Sequence, residues 1–229
     1  MLSKAVLLWK MVPLACATVL AAGVVVLAPS ARATPITFNQ CVTDNNAGDC
    51  AIAFDQISLD VTSGGGNKVL FDFANTGSEM LTLARIYFDD GSLMELLSIS
   101  NGGGVNFTFD PFPGPNDLPG GQNALDVFGN PDPFVTTLGF LSGATAPPPT
   151  NGLEPGENVV LTFKLNGGQN IDDIIAELGD GTLRVGVHMI NFASGGSESL
   201  ITLVPEPSTG LLVGLGLAAL ALGRRRGNR

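Results

Sequence analysis

The stretch that decides the fold is NVVLTFKL, residues 158–165, in which every second side chain is apolar. Val159, Leu161, Phe163 and Leu165 fall on one side of an extended chain, because successive side chains of a strand point to opposite faces. A period of two is typical of a strand with one buried face. The stretch therefore predicts a half-buried β-strand.

The same period recurs on both sides of this stretch, and polar, glycine-bearing turns such as SGGGN (63–67) separate the repeats. The matching stretches are QISLDV (56–61), KVLFDF (68–73), VNFTF (105–109) and TLRVGVHM (182–189), and SLITLV (199–204) is the last predicted strand. Many short strands joined by such turns are typical of antiparallel sandwiches. We therefore predict an all-β domain over residues 34–203, a two-layer antiparallel β-sandwich of jelly-roll-like form.

Two segments depart from the strand pattern. Residues 110–133 contain six prolines and cannot pair as a central strand, so they predict a long ordered loop over the sheet. Residues 170–179 predict the one short helix, with Asn170 as the N-cap, isoleucines and a leucine at helical spacing, and Gly179 as the stop.

Charge is concentrated in the predicted sandwich. The whole chain has a net charge of −10, but residues 34–204 hold 4 basic and 20 acidic side chains, which gives 4 − 20 = −16. Such a domain repels nucleic acid and anionic lipid, so no nucleic-acid partner is expected.

The N-terminus has the form of a secretory signal peptide over residues 1–33. A basic start precedes an apolar stretch from Met11 to Leu27, and the small residues Ala31 and Ala33 flank Arg32. We predict cleavage after Ala33 by signal peptidase. The alternatives are an uncleaved signal anchor and a lipoprotein modified at Cys16.

Export determines how the remaining cysteines are interpreted. Cys41 and Cys50 are the only cysteines of the mature chain, and they flank a short loop rich in Asn, Asp and Gly. In an oxidising compartment such a pair predicts a disulfide, which would contribute roughly 2 to 3 kcal/mol.

The sequence offers little for catalysis. Nucleophilic catalysis usually needs a base, and the one histidine, His188, lies in a strand pattern on the side opposite the inward residues. Adjacent acids are abundant, but no spacing selects a pair held across a cleft, so a secreted hydrolase is disfavoured. The sequence therefore predicts a protein that is not an enzyme.

Calcium is the only cofactor for which the sequence suggests ligands. Oxygen-rich loops contain Asp89, Asp90, Asp117 and Asp180, which are the candidate calcium ligands, but no loop has the ligand spacing of an EF-hand. The competing interpretation is that Asp and Gly serve there as turn formers.

The last 26 residues, 204–229, have three parts. Pro205 and Pro207 separate them from the last predicted strand. Residues 208–223 are apolar or small and would form a transmembrane helix about 24 Å long, slightly under the roughly 30 Å hydrocarbon core. Arg224, Arg225 and Arg226 would then stay on the cytoplasmic side, which leaves the acidic domain outside.

This order of parts resembles the PEP-CTERM sorting signal of exopolysaccharide-producing Gram-negative bacteria. The parts are the PEP residues Pro205, Glu206 and Pro207, then the glycine- and leucine-rich span, then the arginine cluster. The resemblance implies that an exosortase, a membrane-embedded cysteine protease and transpeptidase, recognises Pro205, Glu206 and Pro207 and processes the chain nearby. It implies that the helix and arginines are then removed. Residues 183–201 also resemble a segment that recurs upstream of the signal in such proteins.

The sequence therefore favours a non-enzymatic, exosortase-processed protein that passes through an inner-membrane intermediate to the cell surface or extracellular matrix. Extracellular polysaccharide is its expected partner there. The alternative is a secreted carbohydrate-binding module, with or without calcium. Such modules usually stack sugars on exposed aromatic side chains, and the mature chain has one tyrosine, Tyr87, and no tryptophan.

Overall fold

A computed structural model of the protein describes residues 33–202, apart from residues 44, 47, 90–93, 111–116, 127, 139 and 143–150. Within these ranges, none of the helices has the length and hydrophobicity that crossing a membrane requires. The predicted signal peptide up to Arg32 and the predicted transmembrane helix at 208–223 lie outside the described residues.

Eleven described strands form two sheets in which all paired neighbours are antiparallel. Sheet 1 has the order β1-β3-β4-β9-β6 and sheet 2 the order β2-β11-β10-β5-β8-β7. Sheet 1 contains β1 (Thr34–Ile36), β3 (Ile57–Ser63), β4 (Lys68–Asn75), β6 (Met94–Asn101) and β9 (Asn158–Leu165). Sheet 2 contains β2 (Phe38–Cys41), β5 (Thr82–Asp89), β7 (Thr108–Asp110), β8 (Phe140–Ser142), β10 (Arg184–Ile190) and β11 (Glu198–Thr202).

The two sheets pack face to face around one large hydrophobic core. Phe88 of sheet 2 meets Phe71 and Phe163 of sheet 1 edge-on, with ring centroids 5.5 and 4.9 Å apart. Such edge-to-face pairs contribute beyond the apolar area that they bury. The predicted all-β sandwich of two antiparallel sheets is confirmed.

The outer face of sheet 2 is covered as well, by the described part of residues 117–138. A second cluster of buried side chains lies there and consists of Val42, Tyr87, Leu118, Ala124, Phe134 and Ile201. Gly186 of β10 makes room for the covering residues, since a Cβ there would lie 2.9 Å from Leu118 Cδ2 and 3.1 Å from Phe134 Cζ. The predicted loop over the sheet is confirmed for these residues.

The predicted helix is present as α2 (Ile171–Asp180). The Asn170 side chain accepts from the Asp172 backbone N–H at 2.7 Å, and Asp173 accepts from the Asn170 backbone N–H at 2.7 Å, which together form a capping box. The predicted stop was wrong by two residues. The helix continues through Gly179 and ends before Gly181, whose φ of 82° is the left-handed conformation that favours glycine at a helix end.

The prediction of a single helix was also wrong, because the structure contains a second helix, α1 (Asp49–Gln56). It includes Gln56, the first residue of the stretch QISLDV for which the alternation predicts a strand, so β3 begins one residue later than predicted. Its sequence shows little helical periodicity, and only Asp49, Ala53 and Gln56 of its residues are buried.

The strand predicted for the stretch VNFTF is longer than the strand in the structure. Val105 and Phe107 are buried, but the strand spans only Thr108–Asp110.

Candidate functional site

The four predicted calcium ligands do not form one described site. Asp89 is paired with the buried guanidinium of Arg184 and accepts from the Val135 backbone N–H at 3.1 Å. Asp180 accepts from the Thr182 backbone N–H at 2.9 Å, as a turn residue does. Asp117 is exposed, and Asp90 lies outside the described residues. Calcium binding by these acids stays a prediction.

Among the described residues, one set of three side chains brings metal-ligand atoms within 4.8 Å of one another, and it consists of Cys41, Cys50 and Glu198. The two sulfurs form the predicted disulfide, with the Cα atoms 6.1 Å apart. The buried Glu198 carboxylate accepts backbone N–H groups of Asn45 and Asn46 at 2.8 and 3.2 Å. This group therefore anchors the disulfide loop to β11 and offers no thiolate to a metal.

His188 lies on the outer side of β10 and pairs across the sheet with Ser199, whose Oγ is 3.0 Å from the histidine Nδ1. Burial, and then the positive charge of Arg85 on the other neighbouring strand, lowers the pKa of His188 to about 4. Ser199 is fully buried. His188 is neutral and lies beside a cation, and the Ser199 hydroxyl is inaccessible. A hydrolase would need an exposed nucleophile, so the contact between His188 and Ser199 has the form of a structural hydrogen bond.

Phe128 is a candidate contact residue that the sequence argument does not reveal, because that argument rests on tyrosine and tryptophan. Its side chain is 84% exposed. The turn that presents it is held by Asp126, which accepts the backbone N–H groups of Phe128 and Asn130, both at 2.8 Å. Hydrogen bonds from Asn130 also lower the pKa of Asp126. The turn signal FGN at 128–130 could have indicated an exposed aromatic side chain.

A cleft of about 560 Å³ opens at one end of the sandwich. Its walls come from three separate connections, the one before β5, the one before β9 and the one between β10 and β11. The lining residues are Ser78, Met80, Leu81, Thr82, Glu154, Pro155, Asn191, Phe192 and Gly195. This volume is within the range of ligand pockets in proteins.

The cleft combines apolar walls with a few polar groups. Asn191 has a φ of 60°, a conformation that asparagine tolerates better than most residues, and its Nδ2 donates to Thr82 Oγ1 at 3.2 Å. Glu154 is the only charged residue that lines the described cleft. The polar groups of the cleft can form hydrogen bonds to the hydroxyl groups of a ligand, while Met80 and Pro155 offer apolar contact. The single charge disfavours anionic ligands.

The cleft and the last residue of β11 lie at opposite ends of the sandwich. The cleft-lining segment 191–195 follows β10 and leads into β11, so β11 begins at the cleft. β11 then runs away from the cleft and ends at Thr202, which pairs with Phe38 of β2. We call the end with the cleft the cleft end, and the end where β11 stops the exit end.

The chain also enters the sandwich at the exit end. Thr34 pairs with Val61, close to the end of β3 and its turn into β4. Lys68, the first residue of β4, pairs with Lys164 near the end of β9, whereas β9 begins close to the cleft residues 154–155. The first and last strands of the domain therefore both connect to the rest of the chain at the exit end.

The predicted sorting residues, from Pro205 to Arg226, follow β11 directly and lie outside the described residues. A family model, the PEP-CTERM protein-sorting motif, matches residues 203–226. Neither a curated protein nor a solved structure is similar enough to the chain to count as a match. The match includes the Pro-Glu-Pro residues, the apolar span and all three consecutive arginines.

The chain is therefore a PEP-CTERM protein, a substrate of an exosortase. The sorting signal implies that the protein is exported and that it passes through a membrane-anchored intermediate before processing.

Proposed function

We propose that the processed protein is a non-enzymatic component of the cell surface or extracellular matrix that associates with exopolysaccharide. The observation that carries the proposal is the sorting motif at residues 203–226, which begins directly after the last strand of the sandwich. Exosortase processing therefore releases or transfers an intact folded domain. The excess of acidic side chains favours solubility in a hydrated matrix.

The surroundings of His188 support a role without catalysis. It is the one histidine of the chain, and it is held neutral near pH 7 by burial and by Arg85. Its hydroxyl neighbour Ser199 is fully buried and cannot reach a substrate. The ion pair between Asp89 and Arg184 likewise engages one of the acids that might otherwise serve as a general acid or base.

The association is tested by fractionating native cells and their exopolysaccharide-deficient counterpart. We expect the processed domain in the polysaccharide fraction of the native strain and in the culture medium of the deficient strain. A strain without exosortase is the control, and it should keep the protein in the inner membrane. The same distribution with and without exopolysaccharide would contradict the association.

A second candidate function is the binding of a neutral or amino sugar, and the cleft is the observation that favours it. Its hydroxyl, amide and carboxylate groups suit sugar hydroxyls, and its apolar walls suit the face of a sugar ring. Outside the cleft, Phe128 provides an exposed aromatic ring of the kind on which sugars stack. Calcium dependence of this binding remains a prediction from Asp89, Asp90, Asp117 and Asp180.

Glycan-array binding with two cleft variants tests this candidate. Asn191→Gly removes the amide while keeping a residue that tolerates the φ of 60°, and Glu154→Gln removes the charge. Each should weaken binding about tenfold, as expected for the loss of one hydrogen bond to a polar ligand. Glu95→Gln, in exposed β6, is the matched control. Unchanged binding in both cleft variants would exclude the cleft, and a loss only in Phe128→Ala would move the site to that turn.

A further inference from the structure

The two apolar segments of the precursor connect to the sandwich at the same end. The predicted signal peptide ends at Ala33, one residue before Thr34 of β1, and the sorting motif begins at Leu203, one residue after Thr202 of β11. Both strand termini lie at the exit end. The described domain is therefore joined to the chain before it and to the chain after it at one and the same end.

The tether between the folded domain and the sorting motif is very short. Thr202 is 1% exposed, and its hydroxyl accepts the Val185 backbone N–H at 2.9 Å, which fixes the end of β11 against β10. Only Leu203 and Val204 separate Thr202 from Pro205. The three steps along the chain from Thr202 to Pro205 span at most about 10 Å, and the five steps to Pro207 span at most about 17 Å, so the recognition residues can lie no farther than that from the end of β11.

We infer that the exit end of the sandwich faces the membrane and the exosortase during processing, while the cleft end points away from both. The exit-end surface includes the turn between β3 and β4 at 64–67, the turn between β9 and α2 at 166–170, and residues 181–182 between α2 and β10. Its partner is the membrane-embedded exosortase at the outer side of the inner membrane.

The short tether also limits how the enzyme binds its substrate. A protease that holds the substrate extended has only Leu203 and Val204 before Pro205 available once Thr202 is in place. Binding of a longer segment would have to break the contact between Thr202 and Val185 and expose a buried strand. The enzyme therefore works directly against the exit end, and most of its recognition falls on the residues from Leu203 onward.

Two matched cysteine variants test the orientation. Ser63→Cys lies at the end of β3 on the exit end, and Ser78→Cys lies at the cleft, and both serines are exposed. Once the signal peptide is removed, the remaining cysteines are joined in the Cys41–Cys50 disulfide, so each variant carries one reactive thiol. A strand of seven residues separates the two ends by roughly 23 Å.

Each variant, with its native C-terminal tail, is labelled with a fluorophore and reconstituted in vesicles whose lipid headgroups carry a quencher. We expect several-fold stronger quenching at residue 63 than at residue 78. A spacer of twenty Gly and Ser residues between Val204 and Pro205 should abolish the difference, because the domain can then rotate freely.

Equal quenching at the two positions without the spacer, or stronger quenching at residue 78, would overturn the inference. With inactive exosortase present, a photo-crosslinker at residue 63 should capture the enzyme, and one at residue 78 should not. Capture at residue 78 alone would also overturn it. These outcomes do not depend on exopolysaccharide, so the association proposed above can fail while this inference stands.

Discussion

The two hydrophobic clusters of the sandwich are built in different ways. The large one lies between the sheets and consists mainly of strand side chains that alternate inward from both sides, with further side chains from α1, α2 and the connections. The small one lies between the outer face of sheet 2 and residues 117–138, and six buried side chains form it. Sheet 1 keeps a half-exposed outer face, whereas the central strands of sheet 2 are buried on both sides.

The small cluster depends on polar contacts that hold its cover in place. The Arg184 guanidinium donates to the backbone carbonyls of Asp132 and Pro133 at 2.7 and 3.0 Å, pairs with Asp89, and lies 5.5 Å from the centroid of the Phe134 ring. The difference between the clusters teaches that the core between two sheets is stabilised by its large buried apolar area. The small core under a loop depends instead on a few polar contacts that hold the loop in place. The first three variants described below each disturb one cluster and leave the other in place.

The largest effect is expected for Phe71→Ala in the inter-sheet core. Phe71 is fully buried and contacts both Phe88 and Phe163 edge-on, so truncation leaves a cavity between the sheets and should cost about 4 kcal/mol. Denaturant unfolding measures the change. Phe128→Ala, which removes an exposed ring, is the control and should stay within about 0.5 kcal/mol. Similar costs for both variants would contradict the assignment of the main core.

Arg184→Ala tests the anchor of the small cluster. Its loss leaves the Asp89 carboxylate largely buried without its cation, and we expect a cost of about 3 kcal/mol. Hydrogen exchange should accelerate at Phe134 and Val135 and stay unchanged in β4. Lys164→Ala breaks an exposed pair with Glu95 and should cost less than about 0.5 kcal/mol. Uniform acceleration throughout both sheets would show that the two clusters do not differ in their support.

Gly186→Ala adds one methyl group beneath the covering residues. The new Cβ would crowd Leu118 and Phe134, and we expect a cost of about 1 to 2 kcal/mol. Gly103→Ala is the matched control, because nothing lies within 4 Å of its Cβ position and its φ is not positive. Thermal unfolding of both variants measures the difference. A neutral Gly186→Ala would mean that the cover can lift without cost.

The last effect is a dependence of stability on pH that comes from His188, beside the small cluster. Its pKa of about 4 in the folded chain lies below the ordinary 6.5, so the unfolded chain binds the proton more readily. The stability that neutral His188 contributes is therefore present above pH 6.5 and is lost as the pH falls through about 4. His188→Gln should flatten the loss of stability measured between pH 7 and pH 5. An unchanged slope would contradict the burial of a neutral imidazole.

The sequence predicted the parts of the fold whose signals are local. The strands β3, β4 and β9 alternate because one face is buried, and α2 has both a capping box and an apolar face. β5 was missed because burial on both faces makes TLARIYFD lose its alternation. α1 was missed because its residues give almost no helical pattern.

The same distinction applies to the sites. The sorting signal is contiguous, so residues 203–226 could be identified from their order alone. The cleft joins three connections that are far apart in the chain, and only the strand pairing brings Thr82, Glu154 and Asn191 together. No spacing in the sequence could have indicated it.

The intact mass of the protein recovered from the outer surface of its native host tests the processing most directly. We predict a chain that begins at Thr34 and ends near Pro205, with the Cys41–Cys50 disulfide formed. A mass that still includes Arg229 would show that the tail is a permanent anchor, and it would contradict processing by an exosortase.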